Sequence, residues 1–361
     1  MEKRVYNFSS GPAMLPLPVL EEAQRDLVCL PGVGSSILEI SHRSKEFEAI
    51  LDNTEANLRK LLGIPDNYKV LFLQGGSRLQ FTMVPKNLMK AGESADFVVT
   101  GSWSKMALEE AQREGTVRAA YNGKATNFDR LPDAKQIEID PKAAFAYICS
   151  NETIQGVQFA TEPDVGNVPL VCDSSSDFLH RPLDMKKYGL LYACAQKNAG
   201  PAGVTVVIIR DDLLERSSDS LPTMLNYQAY AKEKSMPNTP PTFAIYIVNL
   251  VTKWLLNDIG GLAKMHELNR QKAKLLYDVI DSSDGFYRGH AQPNSRSLMN
   301  VTFRLADESL DKEFVAQSEK RGLTNLKGHR SVGGMRASIY NAMPIAGIEA
   351  LAQFMGEFKK R

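Results

Sequence analysis

The sequence predicts an α/β fold, a mainly parallel sheet with helices on both faces, followed by a smaller α+β unit. Short β-rich runs alternate with helical patterns through the first half of the chain, the signature of strands joined by helical crossovers. From Thr242 the pattern becomes helical over some forty residues, ending near Asp281. Strand-like and helical segments then mix to the C-terminus, which points to a second, smaller unit. The chain has 361 residues, of which 43% are hydrophobic and 24% charged, an ordinary globular composition with room for two domains.

A proline-rich arm runs to about Pro18. The runs KVLFLQ (69–74) and DFVVT (96–100) are each followed by a helical pattern, and AFAYICS (144–150), PLVCD (169–173), LLYACA (190–195) and VTVVIIR (204–210) complete the strand series. The stretches TFAIYIVNLVTKWLL and GLAKMHELNRQKAKLLYDVI repeat apolar residues at steps of three and four, so they read as helices that connect the two units. LMNVTFRL, LDKEFVAQSEKRG, MRASIYNA and a final helix from about Pro344 make up the remainder.

Lysine plus arginine number 43 against 42 aspartate plus glutamate, so no long-range field favours nucleic acid or an anionic membrane. Anion recognition must be local. Cys29, Cys149, Cys172 and Cys194 lie in apolar settings without metal or redox spacing and read as reduced core thiols; no metal site is expected. The N-terminal stretch lacks a cleavable apolar segment, and the greasiest stretch carries Asn249 and Lys253, so the expectation is a cytoplasmic protein.

The chemistry gathers at strand ends. Lys197 follows an apolar strand, where lost hydration lowers an amine's pKa toward Schiff-base use; alone, it also reads as a lysine reaching solvent. Asp173 closes the neighbouring run, and ligands of parallel sheets collect outside the carboxyl ends of strands; a helix cap is the plainer reading. After KVLFLQ, the glycines of GGSRLQF (75–81) offer free amides and a helix end to an anion, or simply a turn. FVVTGSWSK brings Trp103, one of two tryptophans, to the same edge, either to stack on a planar ring or to pack in the core. A lysine, an acid, a phosphate cup and an aromatic plate at one sheet edge together describe pyridoxal 5′-phosphate.

The segments NFSSGPA, SHRSKEF, TGSWS, SNETIQG, AQKNAGPAGV, NTPPTFAIY and GHRSVGGMRASIYNAM resemble the phosphoserine aminotransferase family, class V, fold type I pyridoxal phosphate enzymes. The resemblance spans Asn7 to Met343. It implies a mainly parallel seven-stranded sheet in a large cofactor-binding domain, residues 18–257, and a small α+β domain from residues 1–17 and 258–361. It also implies that Lys197 is linked to the cofactor and that Asp173 partners its ring nitrogen. Trp103 would stack on the ring and Thr153 bond its oxygen, while Ser77, Arg78 and Gln196, with Asn238 and Thr239 from a second subunit of a homodimer, would hold its phosphate.

The implied reaction moves an amino group between L-glutamate and 3-phosphohydroxypyruvate in serine biosynthesis, with phosphohydroxythreonine left open as a second substrate. A phosphorylated keto or amino acid carries a carboxylate and a phosphate, so a nearly neutral chain must gather local cations for it. Two clusters qualify, His42 with Arg43, and His329 and Arg330 with Arg336, though each His-Arg pair also reads as a solvated turn. By resemblance Arg336 would clamp the α-carboxylate, the other four would surround the phosphate, and Ser9 would approach the substrate. The chain departs from the family pattern at Ser77, Ser174 and Cys194, where Ser77 adds a hydroxyl near the cofactor phosphate. His180, His266 and His290 read as structural. Other class V chemistry and a non-catalytic phosphate-binding module remain the alternative readings.

Overall fold

A computed structural model describes residues 4–360; residues 1–3 and 361, included in the predicted small domain, lie outside the described residues. Seven strands form the central sheet: β1 (Tyr68–Leu73), β2 (Ser94–Val99), β3 (Thr116–Asn122), β4 (Ala146–Cys149), β5 (Leu170–Asp173), β6 (Tyr188–Cys194) and β7 (Thr205–Arg210). Their order is β1-β7-β6-β5-β4-β2-β3. All neighbouring pairs are parallel except those made by β7, which runs antiparallel to both β6 and β1. Only the short span 195–204 joins β6 to β7, too little chain for a helical crossover, so it can only turn back.

The strands other than the edge strand β3 are largely apolar because both faces are covered. Side chains alternate across the pleat, so Val70, Phe72, Val206 and Ile208 meet helices α1 (Leu17–Val28), α2 (Lys45–Leu62) and α5 (Thr242–Trp254). Leu71, Leu73, Val207 and Ile209 meet α3 (Gly76–Leu88) and α4 (Ser102–Ala111) on the other side. The edge strand β3 escaped the sequence reading because Ala120 is its one fully buried residue, which leaves no apolar run to detect.

α2 carries its own boundaries. Ser44 accepts from the Phe47 amide at its start, Glu46 and Glu48 sit in the first turn, Arg59 and Lys60 in the last, and Gly63 ends it with φ 63°. The buried stripe Phe47, Leu51, Leu58 and Leu62 faces the sheet. α5 is buried continuously from Ala244 to Thr252. A wide turn at Leu255–Ile259 and two left-handed glycines, Gly260 and Gly261, then redirect the chain into α6 (Leu262–Asp281).

Three antiparallel strands, β8 (Tyr287–Gly289), β9 (Asn300–Leu305) and β10 (Met335–Ser338), form the second sheet with β9 in the middle. Phe303, Phe314, Phe354 and Phe358 pack it against α6, α7 (Asp311–Lys320) and α8 (Ile345–Lys359). The N-terminal arm belongs here, since Tyr6 and Asn7 pair with Leu323 and Thr324 and Phe8 is buried in this core. One expectation fails: Cys29 is exposed at the end of α1, because the chain leaves the helix there toward solvent, whereas Cys149, Cys172 and Cys194 are buried. No helix among the described residues is long and apolar enough to cross a membrane.

Candidate active site

The carboxyl ends of β4, β5 and β6 and the N-termini of α3 and α4 surround a cavity of about 280 Å³. Lys197, Asp173, Trp103, Ser77 and Arg78 line it, as the strand-end reading expects, and so do Thr153 and Gln196, which the resemblance adds. Lys197 sits in the turn between β6 and β7, which the Ala195 amide closes onto the Val204 carbonyl at 3.0 Å. Gly200 is required because a Cβ there would come within 2.9 Å of Val248 on α5. The half-buried Lys197 Nζ donates to Thr153 Oγ1 at 2.8 Å and lies 4.8 Å from the centre of the Trp103 ring.

The direction of the lysine's pKa differs from the sequence expectation. Burial is the largest single influence and pushes it down, but the negative charge that Tyr340, Cys194 and Asp173 offer on ionisation outweighs burial and holds it above the ordinary lysine value. Asp173 is itself buried, which raises its pKa, against the bond that its Oδ1 accepts from the Ser175 amide at 2.9 Å.

Glu152, next to Thr153, was not anticipated. Its buried carboxylate accepts from the Trp103 amide at 2.8 Å and from the amide and hydroxyl of Ser104 at 2.9 and 2.6 Å, so a remote acid caps α4 and fixes the residue that carries the indole. Burial raises its pKa, opposed by these bonds. A Cβ at Gly101 would sit 2.4 Å from the Glu152 carboxyl carbon, which explains the glycine of TGSWS. The sequence signal for this pairing was an acid inside an otherwise neutral SNETIQG.

At the start of α3, Gly75 and Gly76 line the cavity and adopt φ of 90° and 65°, which glycine takes readily; a Cβ on Gly75 would clash with Leu79. The Ser77 hydroxyl is engaged by Ser175 Oγ at 2.7 Å and Cys194 Sγ at 3.2 Å, so the extra hydroxyl contact expected from sequence is spent on the wall. Asn151 Oδ1 and Trp103 Nε1 are buried without partners, and both residues line the cavity. An amine, a buried acid, a flat indole and a helix start beside Arg78 suit a phosphorylated pyridine aldehyde, the donor set that pyridoxal phosphate needs.

Residues 5–351 match the family model of class V aminotransferases. The phosphoserine aminotransferase of Rhodopirellula baltica is 54% identical, over 99% of this chain and 96% of that protein. The solved structure of phosphoserine aminotransferase from Bacillus circulans subsp. alkalophilus is 53% identical and covers 99% of both chains with a TM-score of 0.97. The chain belongs to the phosphoserine aminotransferase family. A pyridoxal phosphate-bound member from Trichomonas vaginalis is 41% identical, covers 98% of this chain and all of that one, and gives a TM-score of 0.92.

In this member of the phosphoserine aminotransferase family, Arg336 on β10 does not line the cavity itself but is bonded to Thr153, which does. Its Nη2 donates to Ser10 Oγ at 2.7 Å and its Nη1 to the Thr153 carbonyl at 3.5 Å. Burial pushes this guanidinium below its ordinary value, and no carboxylate pairs with it among the described residues. Ser10 makes that contact, while Ser9, expected to approach the substrate, has its Oγ accepting from the Gly11 amide in a local turn. The arm then lies over Lys197: a Cβ on Gly11 would be 3.3 Å from Lys197 Cγ, and the Ala13 amide donates to the Gln196 carbonyl. Tyr340, also unforeseen, donates to the Ser10 carbonyl at 2.8 Å. Beneath it the buried Lys272 ammonium donates to the carbonyls of Tyr340 and Ile339 at 2.7 and 3.0 Å, while burial pulls its pKa down to about 7.

The remaining predicted residues do not line this cavity. Asn238 and Thr239 are exposed and bonded to Gln74. His42 and Arg43 lie in the turn before α2. His329, bonded to Ser331 Oγ at 2.7 Å, precedes Arg330, and burial, then Arg336 and Arg330, push its pKa down.

Proposed function

We infer that the chain catalyses pyridoxal phosphate-dependent exchange of an amino group between L-glutamate and 3-phosphohydroxypyruvate, giving O-phospho-L-serine and 2-oxoglutarate in serine biosynthesis. The observation that carries this reading is Lys197 and Asp173 on one cavity, with the half-buried Arg336, which has no carboxylate partner among the described residues, bonded to Thr153 of its wall. When bound, the cofactor supplies an electron sink for charge developing at the substrate α-carbon.

Lys197 Nζ holds the cofactor and, once released, takes a proton from the substrate α-carbon and returns it on the far side of the transfer. Asp173 keeps a proton on the ring nitrogen, and the charge it meets there offsets the burial that raises its own pKa. Thr153 bonds the ring oxygen, and Trp103, anchored by Glu152, covers the ring face. Ser77 through its amide, Arg78 and Gln196 hold the phosphate, with Asn238 and Thr239 of a second copy; their exposure in one chain supports that role.

Arg336 clamps the α-carboxylate common to both amino acids, and His42, Arg43, His329 and Arg330 meet the substrate phosphate, some of them from the second copy. Ser9 belongs to the arm over the substrate, although Ser10 makes its closest polar contact with Arg336. The functional unit is then a cytoplasmic homodimer with shared sites, residues 18–257 forming the cofactor domain and residues 1–17 with 258–361 the small one.

Borohydride reduction of the yellow holoprotein followed by peptide mass spectrometry tests the centre of the reading, with the adduct expected on Lys197. An adduct elsewhere overturns it. Steady-state kinetics should give the parallel lines of a ping-pong exchange, with 3-phosphohydroxypyruvate preferred over its unphosphorylated analogue by about 100-fold or more, the worth of a few charge-assisted bonds.

A further inference from the structure

We propose that a second cavity, walled by Arg181, His266, Arg270 and Arg296, binds a small oxyanion of the phosphate class. It measures about 350 Å³, lies between residues 158–181 beside the large sheet and residues 266–298 beside the small one, and shares no lining residue with the cavity of Lys197. No aspartate or glutamate lines it.

Three nitrogens on its wall residues are buried with no hydrogen-bond partner: Arg181 Nε, Arg296 Nε and His266 Nδ1. An arginine Nε can only donate, and a buried donor left unmatched is destabilising. An oxyanion offers acceptors alone, together with the charge that guanidinium groups favour.

The cations are held ready. Arg181 is fixed by Glu162 at 2.7 Å, and Arg296 by both oxygens of Asp281 at 2.7 and 2.6 Å. Arg270, exposed on α6, has no carboxylate partner among the described residues, so it brings uncompensated charge. Burial, then Arg181 and Arg270, depress the His266 pKa, with Glu267 opposing; a bound anion would reverse that depression.

A polar chain links this cavity to the reactive one. The His180 ring lies 6.0 Å from that of His266 and bonds Gln158 Nε2 at 3.1 Å, which donates to Asp177 Oδ2 at 3.0 Å. Asp177 accepts in turn from Ser150 and Ser174, and the Ser150 amide donates to the Asp173 carbonyl.

The test uses holoenzyme labelled with ¹³C at histidine Cε1, whose five histidines give few signals. Inorganic phosphate, O-phospho-L-serine and, at matched ionic strength, potassium chloride are titrated in separate arms. Phosphate or phosphoserine should shift the His266 signal saturably and raise its pKa, and whichever arm does so identifies free phosphate or a phosphate ester as the ligand. Arg270→Met should lose this response while His42 and His329 keep theirs, and Arg270→Lys should retain a weakened one. A His266 signal that ignores both phosphates, follows chloride equally, or responds unchanged in Arg270→Met overturns the proposal.

Discussion

On the floor of the active-site cavity, Thr153 and Asp173, with Glu152 behind them, are at most 3% exposed and bonded within the chain; on its rim and beyond, Arg43, Arg78 and Arg330 are exposed and lack carboxylate partners among the described residues. The floor is built from strand ends locked by backbone pairing, such as Cys149 against Asp173 and Asp173 against Tyr192. Arg43 and Arg330 sit on turns, and Arg78 in the first turn of α3. The contrast separates two tasks: proton transfer needs groups fixed before substrate arrives, whereas charge recognition can wait for the substrate to complete it.

Removing the amine tests the floor most severely. Lys197→Ala should lower turnover by at least ~10³-fold, since the covalent hold and the proton carrier vanish together, and single-turnover absorbance would show it. Asp173→Asn should cost roughly 10²-fold in kcat with the cofactor still bound, and a near-normal rate would break the assignment of floor chemistry to this acid.

The rim should behave differently. Arg43→Met or Arg330→Met should raise KM for the phosphorylated substrate about tenfold while leaving that for glutamate nearly unchanged. Mixing refolded Arg43→Met and Lys197→Ala chains should recover activity if the rim is shared between copies. No recovery would confine the whole site to one chain.

Smaller effects probe how the floor is braced. Glu152→Gln keeps the shape but loses the charge that caps α4, so unfolding free energy should fall by about 1–2 kcal/mol and Trp103 fluorescence should shift. Glu162 braces Arg181 further out. Burial would raise its pKa, but the Tyr188 hydroxyl and Arg181 outweigh burial and hold it at about 2. A carboxylate depressed in the fold stabilises it above the unfolded value, 4.5, and that contribution disappears as pH falls toward 2. Thermal midpoints between pH 5 and 2 should drop with a flatter slope in Glu162→Gln, with a neutral-pH rate close to that of the parent chain.

The same contrast decides what the sequence disclosed. Asp173 and Lys197 stood out because a charged residue closing an apolar run has one natural place, the end of a strand. Trp103 and Gly75 followed from the same edge. Glu152, Ser10 and Tyr340 did not, since each is defined by a partner far along the chain: Glu152 meets Ser104 at a separation of 48 residues, and Tyr340 meets Ser10 at 330. The pKa direction of Lys197 was misjudged for that reason too, because burial is a local property while the opposing charges come from strands and loops brought together only by folding. Strand β3 was hidden by its exposed face, and the reversal at β7 was legible in the shortness of the 195–204 link.

The bond from Arg336 to Ser10 joins positions 326 apart. During translation the seven-stranded sheet and its lysine can be complete while the residue expected to grip a substrate carboxylate is still inside the ribosome. A chain that stops before β10 therefore lacks the guanidinium proposed to grip the substrate carboxylate, whatever the state of its sheet.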